Sequence, residues 1–276
     1  MFKIYTMTTE KIITPIDLLT NPPPGVDLTL VGGQAMIYWT LIYCDKYPRL
    51  FPEEAVGSTY DVDFIVKMRG SCKTCHDHWG GTLHTPAADD PTPELGVIVF
   101  NEGTDKEIHV DLLGSLIRLD RQQIEKMRNP IDPSNPLYDS MFVLTEWAVL
   151  LNRVYNTIAL SRYQHEEAFV QVRNAIAIHH AYILWLLDKG DTASAQSQCN
   201  LLLNFAKTSQ YGIPLYLKFN LDLLEAIPID DKRFVEPFCS KALTPLLAEI
   251  CEKRHRLRHD SERRAAQTVS KPSQKP

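Results

Sequence analysis

The chain has 276 residues, of which 44% are hydrophobic and 23% are charged, and this composition excludes a largely disordered or fibrous protein. It is long enough for one large domain or two modest ones. Its apolar runs fall far short of the roughly 20 residues that cross a bilayer, and its N-terminus lacks the segments of a secretory signal. We therefore expect a cytoplasmic protein with no membrane span. Six scattered cysteines indicate reduced thiols and exclude a disulfide scaffold.

The formal net charge of −5 is unevenly distributed along the chain. Residues 253–276 carry a net charge of +6, and the remaining residues carry −11. A basic tail on an acidic body can attract a polyanion such as RNA. The same charge count is also typical of a solvated helix end, so both interpretations stay open at this point.

The first part of the chain predicts a strand, a glycine turn and a helix. Residues 1–27 are predicted to be a lead-in to this domain. Leu28–Val31 has the pattern of a short strand, Gly32 and Gly33 that of a turn, and residues 34–43 that of a helix.

A second strand is predicted over Thr59–Val66, and a loop-like insert with several prolines follows over residues 69–96. Val97–Phe100 and Ile108–Leu112 flank a turn-forming segment and predict an antiparallel hairpin. The sheet of the N-terminal domain would therefore combine these strands.

Prolines over residues 129–136 mark the predicted domain boundary. We predict an N-terminal α/β (α+β) domain over 1–128 with its insert at 69–96, a helical domain over 137–265 and a flexible tail over 266–276. Apolar residues at helical spacing predict helices near residues 142–160, 164–188, 192–208, 215–226 and 240–265.

Three aspartates carry the functional prediction. Strand alternation places Asp61 and Asp63 on one face, with Cα atoms about 6.6 Å apart. The same alternation turns Asp111 away from the core on a second strand. If the two strands pair, three carboxylates can hold Mg²⁺, because this ion prefers oxygen ligands. The alternative is that these are solvent-facing acids of an amphipathic sheet.

Gly32 and Gly33 stand between a predicted strand and a predicted helix. Such a pair lets a phosphate approach the backbone and a helix N-terminus, but it is also typical of a tight turn. Neither a Walker loop nor a dinucleotide-binding fingerprint can be assigned here, because the lysine of the first and the third glycine of the second are missing.

Taken together, Val31–Ala35, Ser58–Phe64 and His109–Leu113 resemble the polymerase-beta-like nucleotidyltransferase superfamily. More narrowly, they are similar to the abortive-infection nucleotidyltransferase toxins of bacterial type IV toxin–antitoxin systems. The resemblance implies a nucleotidyltransferase fold with a small mixed sheet, followed by a C-terminal helical bundle.

The resemblance also implies roles for individual residues. Metal binding and catalysis fall on Asp61, Asp63 and Asp111. Nucleotide binding falls on Gly32, Gly33, Thr59, Arg153 and Arg162. Arg153 stands where the family usually has Lys, and a guanidinium can hold a triphosphate with two hydrogen bonds.

The implied reaction transfers a nucleoside monophosphate from an NTP to an acceptor hydroxyl, with Mg²⁺, and two such ions are expected. The acceptor would be tRNA or a protein side chain, and an antitoxin protein would be a partner. Two alternatives stay open: a noncatalytic nucleotide-binding or regulatory member of the family, and a small-molecule, antibiotic-modifying nucleotidyltransferase.

Cys72 and Cys75 have the spacing of a zinc knuckle, and His76, His78 and His84 follow nearby. Zn²⁺ at this pair is the weaker interpretation. Reduced cysteines and exposed histidines in a variable loop are favoured.

Overall fold

The computed structural model describes residues 13–51, 61–87 and 89–269. The chain divides into two compact units. The first unit comprises the described residues of 1–38 and 57–149, and the second comprises those of 39–56 and 150–276. The division at 149/150 lies later in the chain than the boundary predicted over 129–136.

The first unit is built on a seven-stranded mixed sheet in the order β3-β4-β5-β2-β1-β7-β6. The pairs β1/β7 and β2/β5 are parallel, and the other neighbours are antiparallel. All three residues of β1, near the middle of the sheet, are buried. The strands are β1 (Leu28–Leu30), β2 (Val62–Ile65), β3 (Thr82–His84), β4 (Glu94–Phe100), β5 (Ile108–Leu113), β6 (Arg128–Pro130) and β7 (Met141–Leu144).

The helices that begin in this unit are α1 (Pro15–Leu19), α2 (Gly32–Tyr43), α3 (Arg69–Trp79), α4 (Arg121–Lys126) and α5 (Glu146–Ala159). Helix α4 begins directly after Asp120, because Asp120 and Gln123 form a capping box that satisfies backbone N–H groups at the helix start. Both the mixed α/β class and the hairpin formed by β4 and β5 are confirmed.

The second unit is helical. Helix α7 packs against α6, α8 and α10, and its start is capped by Asp191, whose side chain accepts a hydrogen bond from the backbone N–H of Ser194. Its main helices are α6 (Glu166–Asp188), α7 (Thr192–Thr208), α8 (Gly212–Phe219), the short α9 (Glu236–Phe238) and α10 (Thr244–Val269).

The predicted loop insert over 69–96 is wrong. This segment holds helix α3, strand β3 and the first residues of β4. Cys72 and Cys75, three positions apart on α3, are fully buried, and a Cβ added to Gly96 of β4 would lie only 3.2 Å from Cys72 Cβ. Trp79 stacks on Phe64 of β2, with ring centres 5.9 Å apart. This burial stabilises α3, although the polar composition of its sequence did not predict a helix.

Two further boundaries differ from the prediction. The proline-rich stretch begins with an edge strand, β6, and the segment predicted as the start of a helix near residue 142 is instead strand β7, which pairs in parallel with β1. Gly32 and Gly33 form the first turn of α2 itself, so no separate loop precedes that helix.

Candidate active site: a carboxylate cluster on one face of the sheet

Two of the predicted catalytic aspartates lie on or immediately before strand β2. Val62 and Phe64 are fully buried, whereas Asp63 is half-buried and Asp61 is exposed. Because successive side chains of a strand point to opposite faces, Asp61 and Asp63 share the face away from Val62 and Phe64. The predicted alternation on this strand is confirmed.

The third aspartate lies on the adjacent strand β5. Asp111 is in register with Asp63 in the parallel pair β2/β5. Neighbouring strands are about 4.8 Å apart and registered side chains share a face, so these two carboxylates are close neighbours. Asp61 reaches the same strand, because its Oδ1 accepts a hydrogen bond from the backbone N–H of His109 at 3.4 Å. Two acids at β2 therefore share one face of the sheet with a third acid that is distant from them in the sequence.

The environment of Asp111 is electrostatically unfavourable for a carboxylate. Burial, followed by the negative charges of Asp63, Glu94 and Asp61, raises the pKa of Asp111 to about 6, and His109 opposes this shift. Both burial and nearby like charges disfavour ionisation of an acid. Such a perturbed carboxyl group, set among other acids, is typical of a functional site.

Three residues of this face were not among the predicted site residues. His109 Nε2 lies 2.8 Å from Glu107 Oε1, and this hydrogen bond is the main cause that raises the pKa of His109. Glu94 begins β4, which pairs with β5. Strand alternation through the segment that holds Asp111 could have indicated Glu107 and His109. Glu94 was concealed because its position was assigned to the loop insert.

Gly32 makes room for one of the aspartates. Its φ of +62° is in the left-handed region, and an added Cβ would lie 1.8 Å from Asp63 Oδ2. The carboxylate of Asp63 therefore lies against the first turn of α2, where the helix dipole favours negative charge. The backbone N–H of Val31 also donates to Asp63 O at 2.9 Å, which joins the helix start to β2.

The remaining predicted nucleotide-binding residues are distributed differently. Gly33 lies in the first turn of α2 with Gly32, whereas Thr59 lies outside the described residues. Arg153 is buried on α5, and Arg162 is exposed in the turn Ser161–Tyr163, and both belong to the second unit. The roles assigned to the two arginines stay predictions.

We call the surface of the sheet that carries Asp61, Asp63 and Asp111 the acidic face. The chemistry of its donor atoms fits Mg²⁺. Asp61, Asp63 and Asp111 offer only carboxylate oxygens, which are the ligands that this hard cation prefers. A bound cation would also favour the ionised form of Asp111, whose pKa is raised by burial and by the neighbouring acids. Among the residues that the structure describes, no group of three or more His, Cys, Asp or Glu side chains is placed so that it could hold a metal ion.

The cysteine pair of α3 has the properties of core residues. Cys72 and Cys75 are fully buried, and burial, followed by the neighbouring Cys72, raises the pKa of the Cys75 thiol to about 12. Zinc binds the deprotonated thiolate, which this environment disfavours. His78 is directed elsewhere, with its Nε2 3.2 Å from the backbone oxygen of Asn21.

Comparison of the chain with protein-family models, curated proteins and solved structures finds no match. Over the residues that the structure describes, none of the helices combines the length and the apolar character needed to cross a bilayer.

Proposed function

We propose that the protein is a Mg²⁺-dependent nucleotidyltransferase that transfers a nucleoside monophosphate from an NTP to an acceptor hydroxyl. The acceptor we propose is tRNA or a protein side chain, and the biological role is that of a growth-inhibiting toxin with an antitoxin partner. The observation that carries the proposal is the register of β2 and β5, with Asp63 opposite Asp111.

The contacts around this register support the proposal. Asp61 bonds to the backbone of β5, and Asp63 lies against the first turn of α2. A cluster of acids at the start of a glycine-initiated helix offers cation ligands and backbone N–H donors side by side. Phosphoryl transfer requires both, because negative charge must be neutralised on the transferred group and on the leaving group.

In this reaction the acceptor oxygen forms a bond to the α-phosphorus, the bond from that phosphorus to the bridging oxygen breaks, and pyrophosphate leaves. Asp111 accepts the proton of the attacking hydroxyl. Asp61, Asp63 and Asp111 would hold Mg²⁺, which when bound supplies neutralisation of phosphate charge. The nucleotide phosphates would meet backbone N–H groups of the first turn of α2 at Gly32 and Gly33, beside the carboxylate of Asp63.

The test is incubation of the purified full chain with each of four α-³²P-labelled NTPs, Mg²⁺ and total tRNA. We expect label on RNA, or on a protein when cell extract replaces tRNA. Asp63→Asn should reduce the transfer rate by at least about a hundredfold, because one ligand of the phosphate-neutralising site is lost.

Asp105→Asn is the matched control, because Asp105 is an exposed aspartate of the turn between β4 and β5. It should transfer at the rate of the unchanged chain. Transfer that persists in Asp63→Asn, or that falls equally in both variants, would contradict the proposed role of the acidic face.

A second candidate is a noncatalytic nucleotide-binding or regulatory protein. It is favoured by the side-chain positions noted above, because in the described residues no set of three ligands is already assembled. Saturable binding of an NTP without transfer to RNA or protein would support this candidate. Label on an aminoglycoside antibiotic, when one is added as the acceptor in the same incubation, would indicate an antibiotic-modifying enzyme.

A further inference from the structure

The helical unit contains a second charged site that the proposed reaction does not use. It is a cavity of about 250 Å³ between α8, α10 and the segment that follows α8, and we call it the arginine pocket. Its lining residues are Tyr216, Asp222, Cys251, Arg254, His255 and Arg258.

Arg254 is the buried centre of this pocket. The residue is only 5% exposed, and its guanidinium carbon lies 4.0 Å from the ring centre of Tyr216. Its Nη1 donates to Asp222 Oδ2 at 2.9 Å. Its Nε and Nη2 are buried and have no hydrogen-bond acceptor among the described residues. A buried donor without an acceptor costs free energy, and a ligand that supplies one recovers it.

Asp222, the one acid of the pocket, is already engaged. Its Oδ1 accepts from the backbone N–H of Leu224 at 2.9 Å, and its Oδ2 accepts from Arg254. The carboxylate is therefore held by two donors and does not reach the remaining edge of the Arg254 guanidinium.

A second guanidinium adds positive charge at the same place. Arg258 follows Arg254 by one helical turn and lies with its guanidinium carbon 5.2 Å from the Tyr216 ring centre. Two arginines against one aspartate leave the lining with a formal charge of +1. Lys253 and Arg256 on the same helix extend the positive charge outside the pocket.

We propose that the arginine pocket binds a phosphate group, carried either by a free nucleotide or by an RNA strand. The Nε–Nη2 edge of a guanidinium matches two phosphate oxygens, and the positive surroundings favour a ligand with more than one phosphate. This proposal does not rest on nucleotidyl transfer, because the pocket lies wholly in the second unit.

The test is calorimetric titration of the full chain with inorganic phosphate and, separately, with a 12-nucleotide single-stranded RNA. The variants are Arg258→Ala and Arg254→Lys, the second of which keeps a cation beside Asp222 but removes the two-pronged donor edge. Arg256→Ala is the matched control, because Arg256 is an exposed arginine of the same helix that does not line the pocket.

We expect saturable binding that both pocket variants weaken by about tenfold or more, the loss typical of one charge-assisted hydrogen bond, while Arg256→Ala changes it by less than about twofold. If inorganic phosphate binds and the variants change its affinity in this way, a free phosphate group, such as that of a nucleotide, is sufficient to occupy the pocket. The same pattern with RNA alone identifies the strand as the source.

The proposal is overturned if neither probe binds, or if Arg256→Ala weakens binding as much as Arg258→Ala, which would indicate diffuse attraction to a basic helix. It is also overturned if Arg254→Lys binds as tightly as the unchanged chain. Circular dichroism of each variant establishes whether it is folded. If Arg258→Ala does not fold, the affinity of Arg254→Lys decides whether the proposal stands. Transfer activity is measured separately, so failure of one proposal does not affect the other.

Discussion

Two aspartates, one in each unit, lie in opposite electrostatic environments. Asp188, at the end of α6, contacts Lys46 Nζ at 2.5 Å, the Tyr47 hydroxyl at 2.6 Å and the guanidinium of Arg233. Hydrogen bonds from Lys46 and Tyr47 are the largest causes that lower the pKa of Asp188 to about 2. Asp111 shows the reverse, because burial and neighbouring acids raise its pKa to about 6.

The two environments have opposite effects on stability. Asp188 joins the segment that holds Lys46 and Tyr47 to the end of α6 and to Arg233, so its negative charge stabilises the second unit. The charge of Asp111 destabilises the first unit, because the carboxylate is partly buried and most of its charged neighbours are acids. Proteins retain such unfavourable clusters mainly where a ligand uses them.

The largest effect should come from closing the space beside Gly32. Gly32→Ala forces a Cβ into the carboxylate of Asp63 and also imposes a positive φ on alanine. We expect a loss of about 2–4 kcal/mol in the free energy of unfolding, measured by urea denaturation.

Gly103→Ala is the matched control for this substitution. Gly103 also has a positive φ, of +76°, but an added Cβ would meet nothing within 4 Å. It should lose only about 1 kcal/mol, the cost of the backbone conformation alone. Equal losses in the two variants would mean that the approach of Asp63 to α2 has no energetic consequence.

The next largest effect on stability concerns Asp188, whose carboxylate contacts three donors. Asp188→Asn removes the negative charge from three donors, and we expect a loss of about 1–2 kcal/mol at pH 7, reduced from the full pKa effect because the side chain is 24% exposed. Asp230→Asn, at an exposed position, should change stability by less than about 0.5 kcal/mol.

The pH dependence of Asp188 has a defined sign. Its folded pKa, about 2, lies below that of an unfolded aspartate, so the unfolded state binds the proton more tightly. The stabilisation is complete above the unfolded pKa of about 3.9 and is lost as the pH falls towards 2. The difference between Asp188→Asn and the unchanged chain should therefore shrink over this interval, and a constant difference would contradict this account.

Local patterns were sufficient to predict which side of β2 carries acids. Alternation with a period of two decides which side of a strand carries Asp61 and Asp63, and it requires no knowledge of the remaining chain. That β5 lies beside β2 is a long-range fact that the pattern allowed but did not require. Glu94 entered the cluster only because β4 begins earlier than its apolar run indicates.

The wrong predictions of secondary structure also have causes that lie outside the local sequence. Met141–Leu144 is a short apolar run, which periodicity cannot assign to a strand or a helix without knowing that β1 accepts it as a parallel neighbour. Helix α3 was missed because its buried stripe consists of two cysteines within a polar, histidine-rich sequence. The arginine pocket depends on how α8 and α10 pack, so no local spacing could have indicated it.

The smallest expected effect is an increase in the free energy of unfolding, and it tests the contrast between Asp111 and Asp188 most directly. Asp111→Asn removes one charge from a group of acids and nearly preserves the shape of the side chain. We expect a gain of about 1 kcal/mol in the free energy of unfolding at pH 7 without added Mg²⁺, and loss of nucleotidyl transfer. Asp105→Asn, on the neighbouring turn, should leave both quantities unchanged. If Asp111→Asn instead destabilises the protein as Asp188→Asn does, then Asp111 has a stabilising partner, and the acidic face is an ordinary polar surface.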